Sequence, residues 1–341
     1  MQDHAEVPVI RTKPHFGLPA LLPATLPCMK RSLIFGLLAF LLLYALSYGL
    51  YLRLMTGLSV NAEKEKNFRA LFPRARLWFM GDSHPLQAVL ADSIPGAFNW
   101  ASSSESYVLT YFKISSLLAE GYRPDCIILP LEYHSLSAQG CALWLGHELD
   151  DIFWKSKTNP FDPAWIPEFN RWYFQAQMAP FAGQFYKTGQ IWSPKKAIIS
   201  PAGFQKDTLN WAQNPDSLTH LQARIKSHFG KFDLLDSVQI RFLGRILQLA
   251  EDKGIKVWFV RYPLSEAYLK SVKALPRFSL LENSIEKIVS GQKPLDFRHI
   301  FRRKQDYFSD PDHLSEKGAR VFYPILKEAL LRSDSFGPPI I

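Results

Sequence analysis

Apolar residues are arranged along the chain in one long segment and several short ones. The long segment, residues 33–52, contains twenty residues without a charge. At a rise of about 1.5 Å per residue, a helix of this length crosses a hydrocarbon layer of roughly 30 Å. We therefore predict a transmembrane anchor here, preceded by a cytoplasmic tail over residues 1–32 and followed by a charged juxtamembrane connector over residues 53–74.

A cleaved signal peptide is the alternative interpretation of this segment. The apolar stretch exceeds the usual h-region and about thirty residues precede it, which favours an uncleaved anchor. Basic residues before the segment favour a cytoplasmic N-terminus, although the arginines that follow it partly cancel this bias. The sequence thus predicts a single-pass protein of the inner (cytoplasmic) membrane, with its C-terminal domain facing the periplasm or the cell exterior.

The short apolar segments alternate with segments of helical period. Strands are predicted at residues 77–80, 97–100, 125–131, 255–260 and 295–297. Helices are predicted to open near Pro85, to run over residues 107–120 and 236–253, and to close the chain at residues 315–331 with a kink at Pro324. This alternation is typical of an α/β fold with a parallel sheet covered on both faces.

A stretch of different character, residues 135–235, separates the third strand from the helix that precedes the fourth. It is rich in aromatic residues and includes six of the nine tryptophans of the chain: Trp144, Trp154, Trp165, Trp172, Trp192 and Trp211. These rings either fill the core of a small helical subdomain or offer stacking faces for sugars and an amphipathic surface for a bilayer. We describe it as an aromatic-rich helical insertion between two parts of one domain, residues 75–134 and 236–341.

Composition narrows the class of protein further. With 47% apolar and 14% aromatic residues among 341, the chain is not intrinsically disordered. Beyond residue 53, 35 basic residues against 29 acidic ones give a net charge of +6, which suits an anionic membrane surface or envelope polymer, and no basic-aromatic motif predicts a nucleic-acid partner. Beyond the predicted anchor, Cys126 and Cys141 are the only cysteines, and either a disulfide or two buried thiols is compatible with the sequence.

Candidate chemistry begins directly after the first predicted strand, at Gly81-Asp82-Ser83. Ligands of open parallel sheets bind beyond the carboxyl ends of the strands, where this tripeptide lies. A serine hydroxyl becomes a nucleophile when a base takes its proton, and a histidine base needs a carboxylate to fix its tautomer. Near the C-terminus, His313 follows Asp310 at a spacing that lets one turn bring both side chains together, although Asp312 competes with Asp310 for this role.

The Gly-Asp-Ser block, together with the late Asp-x-x-His block followed by a helix, resembles the SGNH, or GDSL-like, hydrolase superfamily. The resemblance covers roughly residues 75–135 and 236–332 and leaves the insertion unmatched. It implies a flavodoxin-like α/β/α sandwich and cleavage or transfer of O-acyl esters. It further implies Ser83 as nucleophile, His313 as general base and Asp310 as the residue that orients it.

The middle blocks depart from the family pattern. Residues 98–103 lack the glycine whose amide faces the oxyanion, which leaves the backbone N–H groups of Ala101 and Ser102 as candidates. Glu132 stands near the place of the usual asparagine, and an ionised carboxylate would repel a developing oxyanion. Such departures resemble membrane-anchored, SGNH-like proteins that handle acyl groups on envelope polymers, including those of alginate acetylation and teichoic-acid alanylation.

The remaining candidate residues surround these blocks. Asp82 is predicted to stabilise the loop that carries Ser83. Substrate-binding candidates are Glu132, His84, His134 and Arg261, of which the histidines are expected at the rim of the site and Arg261 alternatively forms a surface ion pair. No cofactor is predicted, and no metal, because no second histidine accompanies Asp310, Asp312 and His313 at ligand spacing.

Two functions of different classes follow from these residues. The first is a membrane-anchored serine acyl-esterase or O-acyltransferase that moves acetyl groups on an envelope polysaccharide or glycolipid, with a multi-span acyltransferase as a candidate partner. The second is a catalytically inactive SGNH-like module that binds polysaccharide or scaffolds such an acyltransferase. In the second case Ser83 would serve only as a helix cap.

Overall fold

The computed structural model describes residues 26–58, 60–137, 198–230, 235–289 and 293–332. Within these ranges the backbone divides into two units after Gly49. The helices are α1 (Leu26–Leu58), α2 (Val60–Leu71), α3 (Ser83–Ala88), α4 (Tyr107–Ala119), α5 (Ser217–Phe229), α6 (Ser237–Asp252), α7 (Glu266–Lys273), α8 (Phe278–Ile288) and α9 (Glu316–Arg332). The strands are β1 (Leu77–Phe79), β2 (Ala97–Asn99), β3 (Cys126–Pro130), β4 (Lys256–Arg261) and β5 (Leu295–Asp296).

All five strands form one parallel sheet with the order β2-β1-β3-β4-β5. The predicted α/β class and parallel sheet are confirmed, and each strand lies within two residues of its predicted bounds. Every residue of β1, β2 and β3 is buried, as expected of strands covered on both faces. The order reverses between β1 and β3, and ligands of doubly wound sheets bind at the carboxyl ends of the strands at such a point.

Helix α1 contains the segment predicted as a membrane anchor. Its large apolar side chains are mostly exposed; Leu33, Phe35 and Leu46 retain 69%, 70% and 62% of their accessible surface. Within the part of the chain that the structure describes, no helix is both long enough and apolar enough to cross a membrane. The segment 33–52 includes positions whose side chains lie outside the described residues.

Helix α2 occupies most of the predicted juxtamembrane connector and packs into the α/β unit. Phe68 is fully buried and lies against Trp78 of β1 and Phe98 of β2, with ring centroids 6.0 and 5.0 Å apart. Asn61 and Lys64, on the same helix, are also fully buried. One face of α2 is therefore part of the domain core, which the charged sequence of this segment concealed.

The predicted insertion lies mostly outside the described residues, together with Cys141 and five of the tryptophans: Trp144, Trp154, Trp165, Trp172 and Trp192. The sixth, Trp211, is 4% exposed and its backbone N–H donates to Phe308 O at 2.9 Å, which fits a role in the core. Helix α5 is the C-terminal part of the insertion. In β3, Cys126 is a buried free thiol.

Candidate active site

The turn between β1 and α3 presents Ser83 at the carboxyl end of the sheet. Gly81 has φ +104°, and a Cβ built there would lie 2.4 Å from Pro130 Cδ, so only glycine fits beside the end of β3. Asp82 is the N-cap of α3, and its Oδ1 accepts the N–H of His84 at 3.0 Å. The predicted role of Asp82 in stabilising this loop is thus consistent with the structure.

Ser83, His313 and Asp310 come together across 230 residues of sequence. Ser83 Oγ lies 2.6 Å from His313 Nε2, and His313 Nδ1 lies 2.7 Å from Asp310 Oδ2. Both distances are those of strong hydrogen bonds. Serine, imidazole and carboxylate therefore stand in the order that general-base activation of a hydroxyl requires.

The competition between the two aspartates is resolved by distance. Asp312 Oδ1 is 3.8 Å from His313 Nδ1, too far for a hydrogen bond, and it accepts instead from Arg224 Nε at 2.6 Å. Asp310 also accepts the backbone N–H of His313 at 2.9 Å. A single carboxylate thus fixes both the loop and the imidazole. Gly318 lets this loop pack closely against α9, because a Cβ atom at this position would lie 2.0 Å from Tyr307 O.

The two amides predicted to face an oxyanion are already engaged. Ala101 N–H donates to Asn99 Oδ1 at 3.1 Å, and Ser102 N–H donates to Gly81 O at 2.8 Å. This corrects the expectation that either amide is free for an oxyanion. Their contribution is structural, since the bond to Gly81 ties the loop after β2 to the loop of the nucleophile.

Two buried lysines form hydrogen bonds with the loop that follows β2. Lys113 Nζ donates to Trp100 O at 2.7 Å and to Ser102 Oγ at 3.1 Å, and it forms an ion pair with Glu105. Lys64 Nζ donates to Ala101 O. Both lysines are fully buried, so the loop between β2 and α4 is fixed by charge-assisted bonds that solvent cannot replace.

Glu132 and Arg261 lie inside the protein rather than on a substrate surface. Glu132 is 1% exposed and its Oε1 accepts the backbone N–H of Tyr262 at 2.6 Å, joining the ends of β3 and β4. Burial raises the pKa of Glu132 to about 7. Arg261 is 5% exposed and its guanidinium lies 3.7 Å from the Asp296 carboxylate, which is 35% exposed, so the interpretation as an ion pair with a surface acid fits.

His84 and His134 form a second layer of ionisable groups behind Ser83. His84 is 3% exposed, so it is not a rim residue, and its ring lies between Asp82 and Asp312. His134 Nε2 is 3.1 Å from Asp82 Oδ2, and its side chain is 15% exposed. Burial alone would raise the pKa of the Asp82 carboxyl, but the adjacent His84 and His134 hold it well below its usual value.

Arg224 and His228, both on α5, belong to the same cluster and were missed by sequence reasoning. Arg224 Nη2 lies 2.6 Å from His313 Nδ1 and 3.0 Å from Nε2, so the guanidinium contacts the imidazole of the candidate base. The ring of His228 stacks on His134 with centroids 4.1 Å apart, and its Nδ1 is 2.6 Å from Tyr268 OH. Neither residue belongs to a recognisable motif in the sequence.

Comparison of the chain with known proteins identifies no relative that bears on this site. The chain matches no protein-family model, and no curated protein matches it. The site is therefore defined by its own geometry. Ser83, His313 and Asp310 are brought together with Asp82, His84, His134 and Arg224, while Ala101, Ser102 and Glu132 form the structural frame around them.

Proposed function

We propose that this protein is a serine acyl-esterase or O-acyltransferase of the SGNH-like class, with the flavodoxin-like α/β/α sandwich of that class. The observation that carries the proposal is the hydrogen-bonded series Ser83, His313 and Asp310, with distances of 2.6 and 2.7 Å. The strand order 2-1-3-4-5 supports it, because this order places Ser83 and the end of β3 at the switch point.

In the proposed reaction, His313 Nε2 removes the proton of Ser83 while Oγ attacks the acyl carbonyl carbon. Asp310 holds Nδ1–H and stabilises the imidazolium that forms. When the tetrahedral intermediate collapses, His313 returns the proton to the departing alcohol oxygen, and the acyl group stays on Ser83. A second alcohol, or water, then attacks the acyl-serine with the same base assistance, which regenerates the hydroxyl.

The negative charge of the tetrahedral intermediate needs a donor, and we infer that Arg224 supplies it. Its guanidinium contacts the same imidazole nitrogen as Ser83 Oγ, whereas the amides of Ala101 and Ser102 are engaged elsewhere. A fixed positive charge in a partly desolvated site stabilises an oxyanion more than it would in water.

The proposed setting is the cell envelope, with an O-acetylated polysaccharide or glycolipid as substrate. The support is the uncharged segment 33–52 and the exposed apolar side chains of α1, for which a bilayer is the natural solvent. The protein would be a single-pass protein of the inner membrane, and a multi-span acyltransferase would supply acyl groups to it.

The test compares Ser83→Ala and Ser93→Ala in the full chain. Ser93 is exposed in the short turn after α3, so its replacement is the matched control. We expect Ser83→Ala to abolish fluorophosphonate labelling and to lower kcat/KM on p-nitrophenyl acetate by about 10⁴-fold or more, with Ser93→Ala unchanged. Equal labelling of parent and Ser83→Ala would refute a serine nucleophile at this position.

A second function, a binding module without turnover, is favoured by one observation: the amides of Ala101 and Ser102 are both engaged within the protein. In that case neither parent nor Ser83→Ala is labelled, and both retain the same affinity for an acetylated polysaccharide such as alginate. Labelling of the parent excludes this alternative.

A further inference from the structure

His84 presents both of its ring nitrogens to carboxylates without hydrogen-bonding to either. Nδ1 is 3.3 Å from Asp82 Oδ1, and Nε2 is 3.6 Å from Asp312 Oδ2. Among the described residues, neither nitrogen of His84 has a hydrogen-bond partner. Asp312 Oδ2 also has none. The side chains of His84 and Asp312 are 1% and 0% exposed, so three polar atoms lie buried and unsatisfied within one small region.

His134 completes a set of ligand atoms around the first of these nitrogens. Its Nε2 is 3.1 Å from Asp82 Oδ2, and one ligand atom from each of Asp82, His84 and His134 lies within 4.8 Å of the others. Metal–nitrogen and metal–oxygen bonds of about 2.0–2.1 Å in a tetrahedral site place ligand atoms about 3.3 Å apart. The separations from Asp82, 3.3 Å from Oδ1 to His84 Nδ1 and 3.1 Å from Oδ2 to His134 Nε2, are close to this value, and because they join different oxygens they suit a carboxylate that binds the ion through both.

We propose that Asp82, His84 and His134 bind a divalent transition-metal ion, with His84 Nδ1, His134 Nε2 and the Asp82 carboxylate as ligands. Two imidazoles and one carboxylate are a ligand set that suits Zn²⁺ and leaves its fourth position open. Two of the proposed ligands, Asp82 and His84, flank Ser83 in the sequence, and the site uses no member of the Ser83, His313 and Asp310 series.

The surroundings of His84 fit a ligand role. A histidine that coordinates a metal through one nitrogen normally donates the other N–H to a carboxylate, which fixes its tautomer and orientation. Here His84 Nε2 faces Asp312 Oδ2, and the other oxygen of Asp312 is held by Arg224 Nε at 2.6 Å. Coordination at Nδ1 therefore satisfies all three unpaired atoms, once Nε2 and Oδ2 approach by a few tenths of an ångström.

An ion can also reach the site. The side chain of His134 is 15% exposed, whereas those of Asp82 and His84 are 7% and 1% exposed. His134 thus forms the outer edge of the set and offers a path from solvent that the two inner ligands do not.

The experiment is a Co²⁺ titration of the full chain, purified in mild detergent without a polyhistidine tag and stripped of metal by a chelator. We expect visible d–d absorption that saturates at one equivalent, with a Kd of about 10 μM or below. His134→Gln should weaken binding at least tenfold, because it removes one ligand and its partial exposure makes the variant the least disruptive to folding. His220→Gln, an exposed histidine outside the cluster, is the matched control and should bind as the parent does.

Two results overturn the site. The first is an absence of saturable Co²⁺ binding by the parent, which indicates that a proton on His84 pairs with both carboxylates instead. The second is unchanged binding by a folded His134→Gln, which indicates adventitious binding elsewhere. X-ray absorption of the Zn²⁺-loaded parent needs no variant and should show two imidazole ligands, and a spectrum without them also overturns the site. Ser83→Ala should retain Co²⁺ binding, so loss of esterase activity and loss of the metal site are distinguishable.

Discussion

Replacing Lys113 by methionine removes one charge from an ion pair whose two side chains are both inaccessible to solvent. The Glu105 carboxylate is then buried without its counter-charge, and Trp100 O loses a hydrogen bond of 2.7 Å. Breaking a buried pair in this way costs about 3–5 kcal/mol of stability. We expect the free energy of unfolding of Lys113→Met to fall by this amount, which is a large part of the stability of an ordinary domain.

The double variant Glu105→Gln/Lys113→Met removes both charges and should recover part of the loss. What remains is the lost hydrogen bond to Trp100 O and the weakened bond from Thr110 Oγ1, which is 2.7 Å from Glu105 Oε1. A lost hydrogen bond costs about 1 kcal/mol, less than an uncompensated buried charge, so the double variant should be more stable than Lys113→Met alone.

Urea denaturation followed by tryptophan fluorescence measures these differences, since Trp78 and Trp100 are fully buried in the same unit. Lys270→Met is the control, because Lys270 is 75% exposed and its pair with Glu266 on α7 should contribute less than about 1 kcal/mol. A loss under 1 kcal/mol for Lys113→Met, or a double variant that is no more stable than Lys113→Met, would refute the reasoning.

Three further predictions concern the base loop and β3. Gly318→Ala places a methyl group 2.0 Å from Tyr307 O, so it should displace the loop that carries His313. We expect kcat/KM to fall even under conditions where the variant remains folded, and an unchanged kcat/KM would contradict this contact. Asp310→Asn should lower kcat by about 10³–10⁴-fold with little change in unfolding free energy, because Asp310 is 37% exposed; a variant as active as the parent would exclude it as the orienting residue. Burial raises the pKa of the Cys126 thiol to about 12, so in a variant lacking Cys28 and Cys141 it should react with Ellman's reagent only after denaturation, and rapid reaction of the folded protein would contradict its burial.

The sheet could be predicted because each strand is a short, continuous apolar run between turn residues. Strands buried on both faces need apolar side chains at successive positions, as in β3, where every residue from Cys126 to Pro130 is buried. The contribution of α2 could not be predicted in the same way. Lys64 and Asn61 read as solvent-exposed residues, but they are buried because they bond to the loop after β2.

The proximity of Ser83, His313 and Asp310 could be predicted because local spacing and position after a strand are visible in sequence. The roles of Ala101 and Ser102 could not, since the availability of an amide depends on which acceptor the folded loop provides. The contact between Arg224 and His313 could not be predicted either. Arg224 lies on α5, a helix of the insertion, and no residue near it in the sequence indicates where α5 packs. Long-range partners of single polar side chains are set by tertiary packing.

The separation of 230 residues between Ser83 and His313 has a consequence for how the protein acquires its chemistry during folding. Their hydrogen bond closes a loop that encloses most of the sheet, so it forms only after β1, β3 and β4 have paired in register. Partly folded chains can hold a native-like sheet and yet lack a nucleophile. In a refolding experiment, recovery of fluorophosphonate labelling should therefore follow, and never precede, the burial of the sheet tryptophans.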